Sequence, residues 1–245
     1  MKKINHTFFD EIFQFVRINS TTKEAINCIQ SKKVSGNFII LADEQKGGIG
    51  RKSNYWYSPK GGLWFTMGIY GLSVNSNFTI HTGIVLHKTL ADIFPEIDSD
   101  LKIKWPNDIF LKNKKVAGIL SSYYPAKKYH LIGIGLDVNI IEFPNELKNI
   151  AISLKLVLQR DVDIYNVLYQ FLDKFSELLP EFIETGFDLH YFSNHDQLSD
   201  KEITIDIDFA NYTGICKGID KNGAILLQLK SGILQPFIYG TILDY

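Results

Sequence analysis

The sequence predicts an α+β fold: a mixed β-sheet flanked by helices over residues 1–197, then a small β-barrel over residues 198–245. Three observations predict it. Apolar runs rich in β-branched and aromatic residues, Phe38 to Leu41 and Leu63 to Met67, read as buried strands. Between Asp161 and Thr185, apolar residues from Ile164 to Ile183 recur at helical spacing over the longest such stretch in the chain. After Leu198, short alternating segments succeed one another across tight turns, which is the texture of a small barrel.

The bulk properties narrow the class. With 245 residues, 45% of them hydrophobic, the chain is long enough to bury a sizeable core. A net charge of -1 gives no basic face, so no nucleic-acid partner is expected. Cys28 and Cys216 stand far apart and form no C-x-x-C pair, which fits a reducing compartment. Met1 to His6 lacks the apolar centre of a secretory leader, and no stretch approaches the roughly 18 apolar residues of a membrane span. A cytoplasmic protein without a membrane partner is expected.

In chain order, residues 7–35 read as helical in parts, with Phe8, Phe9, Ile12, Phe13 and Val16 at helical or mixed spacing. Ser20 or Thr21, ahead of Lys23 and Glu24, is a helix start; the same hydroxyls are also suited to binding a polar ring. Leu63 to Tyr70 is a strand, and Phe78 to Phe94 a helix ended by Pro95. His81 and His87 on that helix have no metal-like spacing, and His190 and His195 have no metal-like neighbours. Leu101 to Trp105 alternates as a strand, and Asp108 to Leu111 with Val116 to Tyr123 forms a hairpin about Lys112-Asn113-Lys114. Strand parity puts Lys115 on one face with Ala117 and Ile119, where an ammonium is costly unless an anion pairs with it. Tyr129 to Asn139 is a further strand. In the long helix Pro180 is expected to introduce a kink and Gly186 to end it. Ile203 to Ile207, Tyr212 to Ile219, Ala224 to Leu229 and Gln235 to Tyr239 are the strands of the barrel.

One stretch organises the rest: Gln45-Lys46-Gly47-Gly48-Ile49-Gly50-Arg51-Lys52-Ser53, with Trp56 just beyond. Glycines let backbone amides approach a ligand, successive amides make a concavity for anions, and an arginine grips a phosphate or carboxylate through two hydrogen bonds. A glycine-rich turn between two strands has the same composition. It is not a Walker A loop, because Arg51 rather than glycine precedes Lys52-Ser53. Gly133-Ile134-Gly135-Leu136-Asp137-Val138 is likewise no dinucleotide fingerprint, since Val138 stands at the third glycine; glycines for close strand packing are the plain alternative.

Taken together with Lys104-Trp105-Pro106-Asn107-Asp108 and Lys114-Lys115-Val116-Ala117-Gly118, the loop resembles the biotin protein ligases, whose loop reads roughly Gln-x-x-Gly-x-Gly-Arg and whose next signature is Lys-Trp-Pro-Asn-Asp. The resemblance runs from Ser20 to the C-terminus. It implies the catalytic fold shared with class II aminoacyl-tRNA synthetases plus an SH3-like C-terminal domain. It also implies two steps: biotin and ATP give biotinyl-5'-AMP, and a lysine of a biotin carboxyl carrier protein then accepts the biotinyl group.

The same resemblance implies the site. Lys115 and Arg51 would be catalytic. Biotin would be held by Ser20, Thr21, Thr22, Gln45, Gly48, Ile49, Gly50, Arg51, Trp56, Lys115 and Gly118. ATP would meet Arg51, Asn107, Lys115, Gly135, Asp137, Asn139 and Ser153, with Asp108 and Asp137 as candidate Mg²⁺ ligands. The sequence departs from the family in having Thr22 and Asp137 for asparagines, Ile152 for a threonine, and Ile49 where an arginine is frequent. The rivals are a lipoate or octanoyl ligase and a non-catalytic paralogue that binds the adenylate. A DNA-binding repressor is disfavoured because only about 19 residues precede Ser20. An edge strand is available for a homodimer or for docking a carrier by sheet extension.

Overall fold

A computed structural model of the chain describes residues 6–73, 75, 77–208 and 210–245. Residues 1–5, read above for a leader, lie outside the described set. The elements in order are β1 (Glu11–Phe15), α1 (Thr21–Gln30), β2 (Phe38–Ala42), β3 (Gln45–Ile49), β4 (Tyr55–Ser58), β5 (Leu63–Tyr70), α2 (Phe78–Ile93), β6 (Leu101–Lys104), β7 (Asp108–Leu111), β8 (Lys114–Tyr124) and β9 (Tyr129–Leu136). They continue with α3 (Leu154–Leu158), α4 (Ile164–Thr185), α5 (Leu189–Asn194), β10 (Glu202–Ile207), β11 (Ala210–Ile219), β12 (Ile225–Leu229), β13 (Leu234–Phe237) and β14 (Thr241–Asp244). No helix of the described residues is long and apolar enough to cross a membrane.

Seven strands make a mixed sheet in the order β1-β2-β5-β9-β8-β7-β6. Only β1 and β2 run parallel; the other neighbours are antiparallel. The central strands are apolar throughout because both faces are covered. On β2, Ile39 and Leu41 enter the main core with α2 and α4, while Phe38 and Ile40 pack under α1. On β9, Ile132, Ile134 and Leu136 face the main core. Its alternate residues Tyr129 and Leu131 lie under α1. Gly133 and Gly135 continue that row beyond the helix, where Gly133 faces Thr22 and Gly135 faces Trp56.

The N-terminal region corrects a sequence expectation. Residues 11–15 are the edge strand β1, not helix. Ile12 packs against the main core, while Phe13 and Phe15 pack against the α1 core. A strand half-covered on both faces shows no clean period of two, so its apolar residues imitate helical spacing. Ser20 does cap α1, accepting from Lys23 N. Helix α4 begins on Asp163, whose carboxylate accepts from Tyr165 N and Asn166 N; it is continuous through Pro180 and stops at Gly186. His81 and His87 are buried on α2, and burial pushes both down to about 4.

The second sheet is antiparallel, ordered β13-β12-β11-β10-β14, and is of the SH3-like kind. Its inward residues Ile203, Ile205, Cys216, Ile219, Ile225, Leu227 and Phe237 join the main core. Trp105 Nε1 donates to Gly223 O at 2.9 Å, and the Lys104 ammonium lies 4.0 Å over the Tyr245 ring. The stretch Lys104 to Asp108 therefore fastens the second sheet at one end while its other end faces the site.

Candidate functional site

The glycine-rich stretch is not an open loop. β3 and β4 form a hairpin that lies over the uncovered part of the large sheet, with a cavity of about 580 Å³ between them. The size suits a small organic ligand. The floor is glycine. A Cβ at Gly118 would stand 3.0 Å from the Trp56 ring and 3.2 Å from Lys115 Cε, and one at Gly135 would run into the same indole.

The anion concavity expected from the glycine amides does not form. Gly47 N donates to Asn19 O at 2.8 Å and Gly50 N to Asn54 O at 2.8 Å, while Gly48 pairs with Trp56 across the hairpin. A Cβ at Gly48 would meet Trp56 O at 2.5 Å, so this glycine serves close packing. The left-handed backbone sits instead at Lys52 and Ser53, with φ of 52° and 62°. The positive charge facing the cavity is therefore carried by side chains.

Two cations converge on the cavity from opposite walls. Arg51 lies at the tip of the hairpin, donating to Asn107 Oδ1 at 3.3 Å and to Gly240 O at 2.7 Å. Desolvation lowers its pKa while Asp108 raises it, and a guanidinium stays charged either way. Lys115 Nζ is 2.7 Å from Asp108 Oδ1 and 4.9 Å from the Trp56 ring centre. The parity argument for Lys115 is corrected here. A β-bulge between Ile109 and Phe110 sets Ala117 and then Lys115 against consecutive residues, which leaves Val116 over. Val116, Ala117 and Ile119 face the main core, and Lys115 stands with Gly118 on the cavity side. Without the bulge the ammonium would point into hydrocarbon.

At the other end, Thr21 donates to Gln45 Oε1 from both N (2.8 Å) and Oγ1 (3.1 Å), Gln45 Nε2 donates to Ser58 Oγ (3.0 Å), and Thr66 Oγ1 donates to Thr21 Oγ1 (2.9 Å). This network locks the hairpin to the start of α1 and leaves hydroxyls facing the cavity. Asp137 is almost fully buried; burial raises its pKa well above the usual carboxylate range, with Lys115 pulling the other way.

Of the residues expected at the site, Ser20, Thr21, Thr22, Gln45, Ile49, Gly50, Arg51, Trp56, Asn107, Asp108, Lys115, Gly118, Gly135 and Asp137 line the cavity. Gly48, Asn139 and Ser153 stand outside the lining. Asn139 is tied to Val162 in both directions, and Ser153 caps α3 while donating to Ile140 O. Sequence reasoning missed Tyr55, Tyr57, Leu147, Ile150 and Thr241. Tyr55 and Tyr57 flank Trp56, and an aromatic triplet beside a glycine hairpin was a usable signal. Thr241 was not, because only the tertiary fold carries β14 to the hairpin.

A helix-backed mixed sheet, an attached antiparallel sheet and a cavity closed by a glycine hairpin define a class. The fold is that of the biotin protein ligases: it matches the biotin protein ligase from Aquifex aeolicus in complex with biotin and ATP with a TM-score of 0.85 at 27% identity, over 96% of this chain and 98% of that one. Residues 14–139 match the biotin/lipoate A/B protein ligase family, and the chain belongs to it. It is 30% identical over 242 residues to the bifunctional ligase/repressor BirA of Bacillus spizizenii, covering 92% of this chain and 71% of that protein. It is also 30% identical over 133 residues to the biotin--[acetyl-CoA-carboxylase] ligase of Paracoccus denitrificans, covering 53% of this chain and 54% of the relative.

Proposed function

We propose that the protein is an ATP-dependent biotin protein ligase acting on a biotin carboxyl carrier protein in the cytoplasm. The observation that carries this reading is the convergence of Arg51 and Lys115 on one glycine-floored cavity. In the first step a carboxylate oxygen of biotin attacks the α-phosphorus of ATP, and the bond to the β-phosphate oxygen breaks, releasing pyrophosphate. Two anions must approach each other, so the work is charge neutralisation and positioning rather than proton transfer. Lys115 serves the forming bond and Arg51 the phosphates. Ser20, Thr21, Thr22 and Gln45 face the ureido ring, with Trp56 and Gly118 along the bicycle. Asn107, Gly135 and Asp137 face the nucleotide.

In the second step the carrier's lysine amine attacks the acyl carbon, the bond to the phosphate oxygen breaks, AMP leaves, and the amine gives up its proton. In this reading Asp108, a carboxylate lining the cavity, receives it. Asp108 is already paired with Lys115, and Asp137 is buried with its neutral form favoured. These two do not make a divalent-cation site of their own, so no step is assigned to Mg²⁺ through them. The proposed domain division at 197/198 lies just ahead of β10, which begins at Glu202, and the edge strand β1 is available to a second copy or to the carrier.

The deciding experiment is biotin-dependent ATP–pyrophosphate exchange, followed by transfer to a purified carrier domain with lipoate as competitor. Exchange and transfer that depend on biotin and resist lipoate support the ligase. Nucleotide binding without exchange assigns a non-catalytic paralogue, and preference for lipoate assigns the sister activity.

A further inference from the structure

Behind the sheet, away from the cavity, lies a cluster that the ligase reading leaves unused. His87 on α2, Asp98 in the 3-10 turn Pro95–Asp100 and His195 just past α5 each offer one ligand atom, and these atoms lie within 4.8 Å of one another. Two of them come from histidines that their sequence spacing sets aside as non-metal residues; 108 positions separate them, and the fold brings their rings to 4.4 Å.

The hydrogen bonding is that of ligating imidazoles. His87 Nε2 lies 3.0 Å from Leu101 O, and His195 Nδ1 lies 2.8 Å from Tyr191 O. A ring N–H given to a backbone carbonyl fixes the tautomer and leaves the other nitrogen as the acceptor, the usual outer arrangement of a metal-bound histidine; on His87 that acceptor holds the Tyr191 hydroxyl, which an entering ion displaces. His87 Nδ1 meets the Tyr191 hydroxyl at 2.9 Å, and the Tyr191 ring stacks on His195. The buried His87 is the fixed member, whereas His195 is half-buried and Asp98 exposed, which opens a path for an ion from solvent.

We propose that His87, Asp98 and His195 bind one zinc ion, with a fourth position left to water. Two neutral imidazoles and one carboxylate are borderline ligands suited to zinc, which imposes no geometric preference of its own. Tetrahedral coordination at roughly 2.1 Å sets ligand atoms about 3.4 Å apart, so Asp98 and His195 must turn inward. The ion would join α2, the turn and the segment that leads into β10. That segment already pairs with β6, through Ile103 N to His195 O at 2.8 Å and Gln197 N to Ile103 O at 2.9 Å. Zinc therefore stabilises the junction of the two sheets and leaves the reaction alone.

The test titrates metal-free full-length protein with zinc by calorimetry and with cobalt(II) by visible absorption. One ion per chain, a higher melting temperature and an unchanged pyrophosphate exchange rate are expected. Asp98→Asn and His195→Gln, both outside the cavity, should each weaken binding at least ~10-fold. His190→Gln, which removes an exposed histidine outside the cluster, should not. The proposal fails if micromolar zinc does not bind, if binding persists in both cluster variants, or if His190→Gln weakens it equally. The binding and melting readouts do not depend on whether the protein is a ligase.

Discussion

Lys115 is the residue whose placement needs the most explanation. An ammonium is tolerated on a mostly buried strand only where its solvation is replaced, and here Asp108 at 2.7 Å and the Trp56 ring replace it. Removing the side chain leaves Asp108 without its cation and the reacting anions unneutralised. Lys115→Ala should therefore nearly abolish biotin-dependent pyrophosphate exchange while the chain still folds; near-normal exchange would remove this lysine from the mechanism. Arg51→Gly loses the contacts to Asn107 and Gly240 that close the hairpin tip, and biotinyl-adenylate should escape and label nearby lysines, a result mass spectrometry would detect. His81 makes a different kind of prediction. It stacks on Phe182 with ring centres 4.2 Å apart, its Nε2 is buried without a partner among the described residues, and its pKa is lowered to about 4. A depressed basic group contributes stability that is present above its unfolded pKa and lost as pH falls toward the folded one. His81→Leu should remove about 3 kcal/mol of stability loss between pH 6.5 and 4 relative to the parent, measured by urea unfolding at each pH. Parallel curves for parent and variant would refute the assignment. At this scale the sequence was most informative where chemistry is local: Arg51, Lys115, Asp108 and the α1 hydroxyls all reach the cavity. Asn139 and Ser153 do not, because motif spacing says nothing about which side of a turn a polar side chain is spent on.

The elements show why the floor must be bare. β8 and β9 set Gly118 opposite Gly135, and the Trp56 indole lies on both. Gly118→Ala brings a methyl group within 3.0 Å of that ring and 3.2 Å of Lys115 Cε, with no positive φ to violate. The fold should survive with a melting temperature close to the parent's, while the displaced indole and ammonium lower exchange by about 100-fold. Loss of folding together with activity would mean the glycine is needed for packing alone. Strands buried on both faces, such as β2 and β5, were legible as apolar runs, β5 with its boundaries and β2 one residue short at Leu41. The bulge at Val116 was not, because every residue around it satisfies strand propensity in either register. β1 was hidden for the related reason that its two faces pack on different cores. Helix α3 was missed because five residues carry too little periodicity to read.

The two sheets share one core, which bears on how the molecule unfolds. Inward residues of β10, β11 and β12, among them Ile205, Cys216 and Leu227, are fully buried in the same cluster as Phe65 and Phe171. Arg51 and Trp105 add hydrogen bonds to Gly240 and Gly223, and Lys52 an exposed ion pair with Asp206 at 3.4 Å. An exposed pair contributes at most about 1 kcal/mol, so shared apolar burial is what couples the sheets. The change of texture after Leu198 marks the second sheet correctly, but composition cannot tell a tethered domain from one whose inner face completes the first. Full-length protein should unfold in a single calorimetric transition with matching calorimetric and van't Hoff enthalpies. A fragment of residues 1–197 would strip the buried Trp105 of its Gly223 partner and should give no cooperative transition. Trp105→Phe deletes the bond to Gly223 and leaves a small cavity in place of the second ring of the indole, so it should lower stability by about 2–3 kcal/mol while keeping one transition. Two resolved transitions, or a cooperatively folded 1–197 fragment, would mean that the sheets are separable and that the hairpin tip is held at β14 by Arg51 and its neighbours alone.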